Sequence, residues 1–369
     1  MANNKKDRIM DLMRRGIISE DEALELLEKA NLTGEDNQGD TADDASDGSS
    51  KFSYTDKEGY VNHNVDFADS MKNTFENLFE KSKEVFKGVA KSVDDNIDFG
   101  NGFPKVKSVS TEIEKDIDGE FSAVNLDVKN GKIAVKPGEN AHVKVQYKVY
   151  GAVENGDVDA YVAEKTTLEV IDNILEITTS GRISAEVELY LPEKSYDKVA
   201  LNVLHGEIEV EKLVADVIEV SQVNGDVELK ETTSKSLTVT TKNGEIKAID
   251  GRSTEMNLNS INGNFRVTND FETADLSLVN GNILVTESSV GARKLNVKNV
   301  NGDIKVSVPE ALGLVGHVRT IFGSYKTRLN LDNPFEAGRN GAAVVRSGEN
   351  TLTFELETKS GTIWLKDID

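Results

Sequence analysis

Small residue pairs that end in glycine recur nine times between residues 130 and 361, each with strand-like alternation on at least one side. The pairs are Asn130-Gly131, His205-Gly206, Asn224-Gly225, Asn243-Gly244, Asn262-Gly263, Asn280-Gly281, Asn301-Gly302, Phe322-Gly323 and Ser360-Gly361. From Gly206 to Gly323 the glycines are 19, 19, 19, 18, 21 and 21 residues apart. A constant period near 20 residues indicates a repeat architecture, in which each unit buries its apolar face against its neighbours. Such architectures form long surfaces for binding, and a catalytic pocket is not expected.

Each repeat unit offers two short strands with a turn between them. The alternating apolar residues of one unit are Ile218, Val220, Val227 and Leu229. An Asn-Gly pair between such strands is typical of a β-hairpin, which would give an antiparallel meander. A β-solenoid, or β-helix, of rungs of about 20 residues also explains the constant period, because Asn-Gly then lies at a corner that needs a positive φ. We therefore predict a mainly β chain with a β-solenoid over residues 106–369.

Three details refine this prediction. The less regular stretch 107–200 indicates longer edge strands or inserted hairpins, and residues 330–350 are predicted to be a loop insertion. Trp364, the only tryptophan, is expected to cover the last rung. Asparagines stacked at the corners are expected to share side-chain hydrogen bonds.

The N-terminal third has a different pattern. Residues 1–32 are predicted to form a helical hairpin, because Ser19 and Glu22 make a capping box ahead of an apolar stripe. About 26 residues cannot hold a core alone, so self-association through this hairpin is one expectation. Residues 33–64 are rich in Asp, Gly and Ser and are predicted to be an acidic disordered linker.

Residues 65–93 are predicted to form an amphipathic helix. Two functions are open for it: capping the end of the solenoid, or contact with a membrane or partner. The candidate contact residues are Phe67, Met71, Phe75, Phe79, Phe86, Lys72, Lys83 and Lys87.

The net charge of −22 limits the partners. It disfavours nucleic acid and favours cationic peptides or metal ions. The chain has no cysteine, and it shows no signal peptide and no apolar run of membrane-spanning length. We expect attachment to the cell envelope, at the surface or at the inner face of the membrane.

No motif predicts an enzyme or a cofactor site. The four histidines are distant from one another in sequence and from carboxylate pairs at metal-ligand spacing: His63, His142, His205 and His317. The residues that follow the repeat glycines are mostly acidic or amide side chains. They would stack along one edge, where calcium is an alternative to a solvated turn. We expect no catalytic residue, no cofactor and no metal.

The units VNGDVEL, KNGEIKAI, VNGNILV, VNGDIKV and KSGTIWL resemble the DUF4097 family of adhesin-like domains. The opening RIMDLMRRGIISEDEALELLEKA resembles a SHOCT-like helical domain, and the combination resembles YvlB- and LiaX-like envelope-stress proteins of Gram-positive bacteria. The resemblance implies a non-enzymatic protein of the envelope-stress and antimicrobial-peptide response. Its expected partners are cationic peptides, the membrane surface or envelope-stress membrane proteins. The alternative is a surface adhesin that binds glycans or host surfaces.

Overall fold

The computed structural model describes residues 108–151, 157–332 and 341–368. The predicted hairpin, linker and amphipathic helix, with all eight candidate contact residues from Phe67 to Lys87, lie outside these ranges. Within them the chain is mainly β, as predicted, with eighteen strands and one short helix.

The elements follow one another in this order. The first strands are β1 (Ser108–Asp116), β2 (Ala123–Gly138) and β3 (His142–Tyr150), followed by helix α1 (Val158–Lys165). Next come β4 (Thr166–Ile171), β5 (Ile174–Thr179), β6 (Ile183–Pro192), β7 (Ser195–Glu211), β8 (Val214–Asn224), β9 (Val227–Lys230) and β10 (Thr233–Asn243). The last are β11 (Ile246–Asn262), β12 (Phe265–Asn280), β13 (Ile283–Thr286), β14 (Lys294–Asn301), β15 (Ile304–Val308), β16 (Gly313–Thr327), β17 (Ala342–Arg346) and β18 (Thr351–Asp367).

Successive repeat units pair in parallel, each in register with the unit one repeat away. Leu201 of β7 pairs with Val220 of β8, which pairs with Val239 of β10. The same offset continues from β10 into β11 and from β11 into β12. The Asn-Gly pairs therefore mark corners within a rung of a parallel stack, and the antiparallel meander does not describe residues 195–308.

The core of the stack is a file of inward-facing aliphatic side chains. Val220, Val239 and Leu258 occupy one such file, and each is at most 1% exposed. Their alternation with polar residues places every second side chain inside, as the period of a strand requires. Burial of each contributes on the order of 2 kcal/mol, and no unit can obtain this contribution without its neighbours.

The glycine of each corner is required by the close approach of the backbones. Gly244 has φ 144°, and a Cβ placed on it would overlap the carbonyl oxygen of Gly225. The asparagine before it joins the predicted ladder: Asn243 Nδ2 donates to Asn224 Oδ1 at 2.7 Å, and Asn262 Nδ2 donates to Asn243 Oδ1 at 2.8 Å. The corner therefore fixes both the backbone and the spacing of the rungs.

Both ends of the stack depart from sequence order. At the first end, β2 lies between β7 on one side and β5 and β6 on the other. At the second end, β18 lies between β14 and β15 on one side and β16 on the other. The chain thus builds the outermost rung first and then inserts its C-terminal strand beneath it.

This insertion corrects two predictions. Trp364 lies on β18, one rung inside the end of the stack, and does not cover the last rung. The predicted loop at 330–350 contains strand β17, which pairs antiparallel with β16. The less regular stretch before residue 200 does hold antiparallel strands, since β1 pairs with β3, β3 with β6 and β4 with β5.

Candidate functional site

The strands that follow the corner glycines present an outward face, called here the post-glycine face. Position three after each glycine points outward on this face. In the second half of the stack the five register partners at this position are Arg266, Leu284, Lys305, Trp364 and Lys326. We call this row the cation–tryptophan column. Neighbouring strands in a sheet are about 4.8 Å apart, so the five side chains span about 19 Å.

The column combines exposed cations with apolar surface. Arg266, Lys305 and Lys326 are exposed, Leu284 is 41% exposed and Trp364 is half-buried. The Lys326 Nζ lies 4.3 Å from the centre of the Trp364 ring. This distance is that of a cation–π contact, which holds the indole flat against the sheet.

The column has little negative charge beside it. Among the described residues, neither Arg266 nor Lys305 has a carboxylate within ion-pair distance. The nearest acidic corner residue is Asp303, whose Oδ1 accepts a hydrogen bond from the Thr362 amide at 2.8 Å. Outward positions alongside the column carry Thr268, Thr286 and Ser307. The result is a basic surface on a chain whose net charge is −22.

The first half of the same face is arranged differently. Its lysines all contact carboxylates, and we call Lys132, Lys136, Lys230 and Lys247 the paired-lysine region. The shortest distances from each Nζ to a carboxylate oxygen are 2.5 Å for Lys132 with Glu209, 2.8 Å for Lys136 with Glu188, 3.7 Å for Lys230 with Glu211 and 3.4 Å for Lys247 with Glu245.

Titration reflects this pairing. The hydrogen bond to Glu209 raises the pKa of Lys132, and the hydrogen bond to Glu188 raises the pKa of Lys136. The charge of Glu245 likewise raises the pKa of Lys247. These lysines are compensated within the chain, so they offer little to an external anion.

The acidic and amide residues after the corner glycines use their oxygens on the backbone. Asp226 Oδ1 accepts from the Glu245 amide at 2.7 Å, and Asn282 Oδ1 accepts from the Asp303 amide at 2.9 Å. Across the ranges that the structure describes, no group of three or more His, Cys, Asp or Glu side chains could hold a metal ion. The row therefore acts as a cap on the corners, as the solvated-turn alternative supposed.

The histidines divide between the corner ladder and the first edge. His205 takes an asparagine position in the ladder, where its Nδ1 lies 2.9 Å from Asn224 Nδ2 and burial lowers its pKa. His142 lies 2.9 Å from Asp116 and 3.3 Å from Glu114, and the hydrogen bond to Asp116 raises its pKa. The expectation that no histidine lies near two carboxylates is wrong for His142, because the pairing of β1 with β3 brings residues 26 apart into contact.

The sequence prediction did not find the cation–tryptophan column. Its signal was present, because each member lies three residues after a corner glycine. Its order was hidden, because Trp364 stands between Lys305 and Lys326 in space but follows both in the chain. No helix among the described residues is long and apolar enough to cross a membrane.

Comparison with known proteins places these features in a family. The uncharacterised protein YvlB of Bacillus subtilis is 36% identical over 242 residues, which are 65% of this chain and 65% of YvlB. The match thus spans about two thirds of that relative's length.

Solved structures share little sequence with this chain. A "putative adhesin" from Bacteroides fragilis is 13% identical and aligns over 71% of this chain and 97% of its own, with a TM-score of 0.40. A "putative lipid binding protein" from Parabacteroides distasonis is 11% identical over 69% of this chain and 96% of its own, with a TM-score of 0.31. The model of the Toastrack DUF4097 family matches residues 121–366, two thirds of the chain and nearly all of its described strands. This chain belongs to the Toastrack DUF4097 family.

Proposed function

We propose that this protein is a non-enzymatic β-solenoid scaffold of the cell envelope, whose cation–tryptophan column binds the surface of an anionic lipid bilayer. The observation that carries the proposal is the presence of uncompensated Arg266 and Lys305 beside Leu284 and Trp364. Cations attract anionic headgroups, while tryptophan and leucine suit the boundary between headgroups and acyl chains. A row of side chains on a flat strand face fits a planar surface better than a deep pocket does.

The expected affinity is modest. A basic side chain near an anionic bilayer contributes about 1 kcal/mol, so Arg266, Lys305 and Lys326 together supply about 3 kcal/mol before any apolar burial. At physiological ionic strength such attraction decays over about 8 Å, so binding depends on salt. The net charge of −22 opposes approach in any other orientation, which makes the column the part that meets the membrane.

The remaining predictions fit this scaffold as parts of the same proposal. Residues 1–32 would be the helical hairpin, 33–64 the linker and 65–93 a second membrane or partner contact through Phe67 to Phe86. A role in the response to envelope stress and to cationic antimicrobial peptides is consistent with an acidic chain held at an anionic membrane. Among the solved structures above, one is named for lipid binding.

Trp364 supplies a direct test, because it is the only tryptophan of the chain. The full chain is titrated with vesicles of phosphatidylglycerol and phosphatidylcholine, and with vesicles of phosphatidylcholine alone. We expect a blue shift of the Trp364 emission and co-sedimentation with the anionic vesicles only. The double variant Lys305→Gln/Lys326→Gln should weaken co-sedimentation about tenfold or more, as loss of about 2 kcal/mol predicts.

The matched control removes two lysines from the paired-lysine region. Lys230→Gln/Lys247→Gln changes the net charge equally and should leave vesicle binding within about twofold, since both lysines already contact carboxylates. Equal losses in the two double variants would show that net charge, and not the column, governs binding. Binding of soluble polyphosphate as tightly as vesicles would assign the column to free polyanions instead of a bilayer.

A second candidate function is adhesion to glycans. The strands before the corners face outward with small neutral polar side chains in register, among them Ser221, Thr240, Asn259 and Ser277. Hydroxyl and amide groups spaced by strands suit sugar hydroxyls. Binding of the chain to a glycan array that is lost in Thr240→Lys/Asn259→Lys, with vesicle binding unchanged, would favour this candidate.

A further inference from the structure

The last rung of the stack ends in an unusual strand edge. The N-terminal part of β16 pairs with β18 on one side and with β17 on the other, as far as Val318. Beyond Val318, no strand in the described ranges pairs with the outer edge of β16. Edge strands of natural proteins are ordinarily short, charged or covered, since an open edge is a template for another strand.

This edge also carries the largest exposed apolar side chains of the described residues. Phe322 is 68% exposed and Ile321 is 54% exposed. Phe322 stands at the ladder position that holds Asn301 two rungs away, with Ser360 between them. Ile321 stands beside Lys359, since Thr320 and Phe322 pair with Thr358 and Ser360. Two positions that are polar in the neighbouring rung are therefore apolar only where the stack ends.

The opposite end of the stack also finishes in an open strand. β1 pairs with β3 only, and eight of its nine residues are exposed. Val109 is 49% and Ile113 is 36% exposed. β1 carries Glu112, Glu114 and Asp116 with one lysine, whereas Lys326 and Arg328 are the exposed charged residues at the end of β16.

We infer that two copies of this chain join head to tail, with the β1 edge of one copy adding to the β16 edge of the next. Opposite charges decide this arrangement, because pairing of β16 with a second β16 would bring lysine and arginine together. Backbone hydrogen bonds supply the attachment, and Phe322 and Ile321 are covered by Val109 and Ile113 of the neighbour. Unlike surfaces in contact form a heterologous interface, which extends to short filaments as concentration rises.

The test measures the mass of the full chain by sedimentation velocity over a range of protein and salt concentrations, without lipid. Ile321→Lys/Phe322→Asn blocks the β16 edge using residue types that the neighbouring rungs already carry at these positions, so the fold should be kept. Val109→Lys/Ile113→Lys blocks the β1 edge. Val214→Lys, at a 42% exposed valine away from both edges, is the control.

Wild type and the control should associate with rising concentration, and less so at high salt. Each edge variant alone should form at most dimers, since one variant lacks the edge that the other copy needs, and both should be monomeric. An equimolar mixture of the two variants should give one-to-one dimers, because each retains the edge that the other has lost. A wild-type chain that stays monomeric at every concentration overturns the inference, as does association that survives Val109→Lys/Ile113→Lys.

Discussion

The two halves of the post-glycine face share one backbone plan and differ in how they treat positive charge. In the paired-lysine region, Lys132 and Lys136 form ion pairs with Glu209 and Glu188 across neighbouring strands. In the cation–tryptophan column, Lys305 has no carboxylate partner among the described residues and Lys326 lies over Trp364. The stacking of rungs therefore does not dictate the chemistry of the face. The side chain at position three after each glycine decides whether a rung is neutralised internally or left to bind something else.

The largest expected effect tests whether the two halves have the same scaffold. Gly225→Ala in the first half and Gly302→Ala in the second each place a Cβ against the carbonyl oxygen of the rung before it. Both also force alanine to a φ near 135°. We expect each to lower the free energy of unfolding by about 4 kcal/mol or more, measured by urea denaturation.

Gly291→Ala is the control for these variants. The nearest atom to its added Cβ is Ser289 Oγ at 3.4 Å, and its φ is not in the positive region, so a change within about 0.5 kcal/mol is expected. If Gly225→Ala or Gly302→Ala were as mild as the control, the two halves would not share the same corner.

A buried acid in the second half gives the next effect. Glu287 is fully buried and accepts hydrogen bonds from the Ser289 amide at 2.8 Å and the Phe271 amide at 3.1 Å. Burial raises its pKa from 4.5 to about 7. The folded chain then binds a proton that the unfolded chain releases between these pH values, so stability is complete below pH 4.5 and falls as pH rises towards 7. The contribution of this group is on the order of 3 kcal/mol.

The measurement is the free energy of unfolding between pH 4.5 and 8 for wild type and Glu287→Gln. Gln loses one of the two acceptors, so the slope with pH is compared, not the absolute stability. A flatter slope in the variant is expected. An unchanged slope would mean that Glu287 ionises as readily in the folded chain as in the unfolded one.

The paired-lysine region should be convertible to a second anion-binding surface. Glu188→Gln/Glu207→Gln/Glu209→Gln removes the carboxylates that contact Lys132 and Lys136. Two released lysines add about 2 kcal/mol of attraction, so binding to phosphatidylglycerol vesicles should rise about tenfold or more, measured by co-sedimentation. The control Glu349→Gln/Glu310→Gln/Glu120→Gln changes net charge equally at exposed acids that have no ion pair among the described residues. Equal gains in both triple variants would break the comparison of the two halves.

The smallest effect concerns stability. Lys132→Met breaks an exposed ion pair and should lower the free energy of unfolding by about 0.5 kcal/mol or less. Lys305→Met removes no ion pair and should leave stability unchanged or slightly higher. A larger cost for Lys305→Met than for Lys132→Met in thermal unfolding would show that Lys305 has a structural partner.

The sequence predicted the repeated element of this fold well and its ends poorly. The glycine period located the corners, because a positive φ and a close backbone approach exclude other residues at each of them. Alternation located the core, because strand geometry places every second side chain inside. Helix α1 was not predicted, although Asp157 caps its first turn by accepting from the Ala160 amide at 2.9 Å. Eight residues with little amphipathic pattern give too weak a periodic signal.

What the sequence determined by itself is the rung: its length, its corner, its inward file and the identity of the outward side chain at position three. These are local properties, fixed by backbone conformation and by alternation over a few residues. Only the tertiary structure decided the order of the rungs, because the insertion of β18 between β15 and β16 depends on pairings between residues far apart in the chain. That order places Trp364 between Lys305 and Lys326, and so turns three separate residues into one surface.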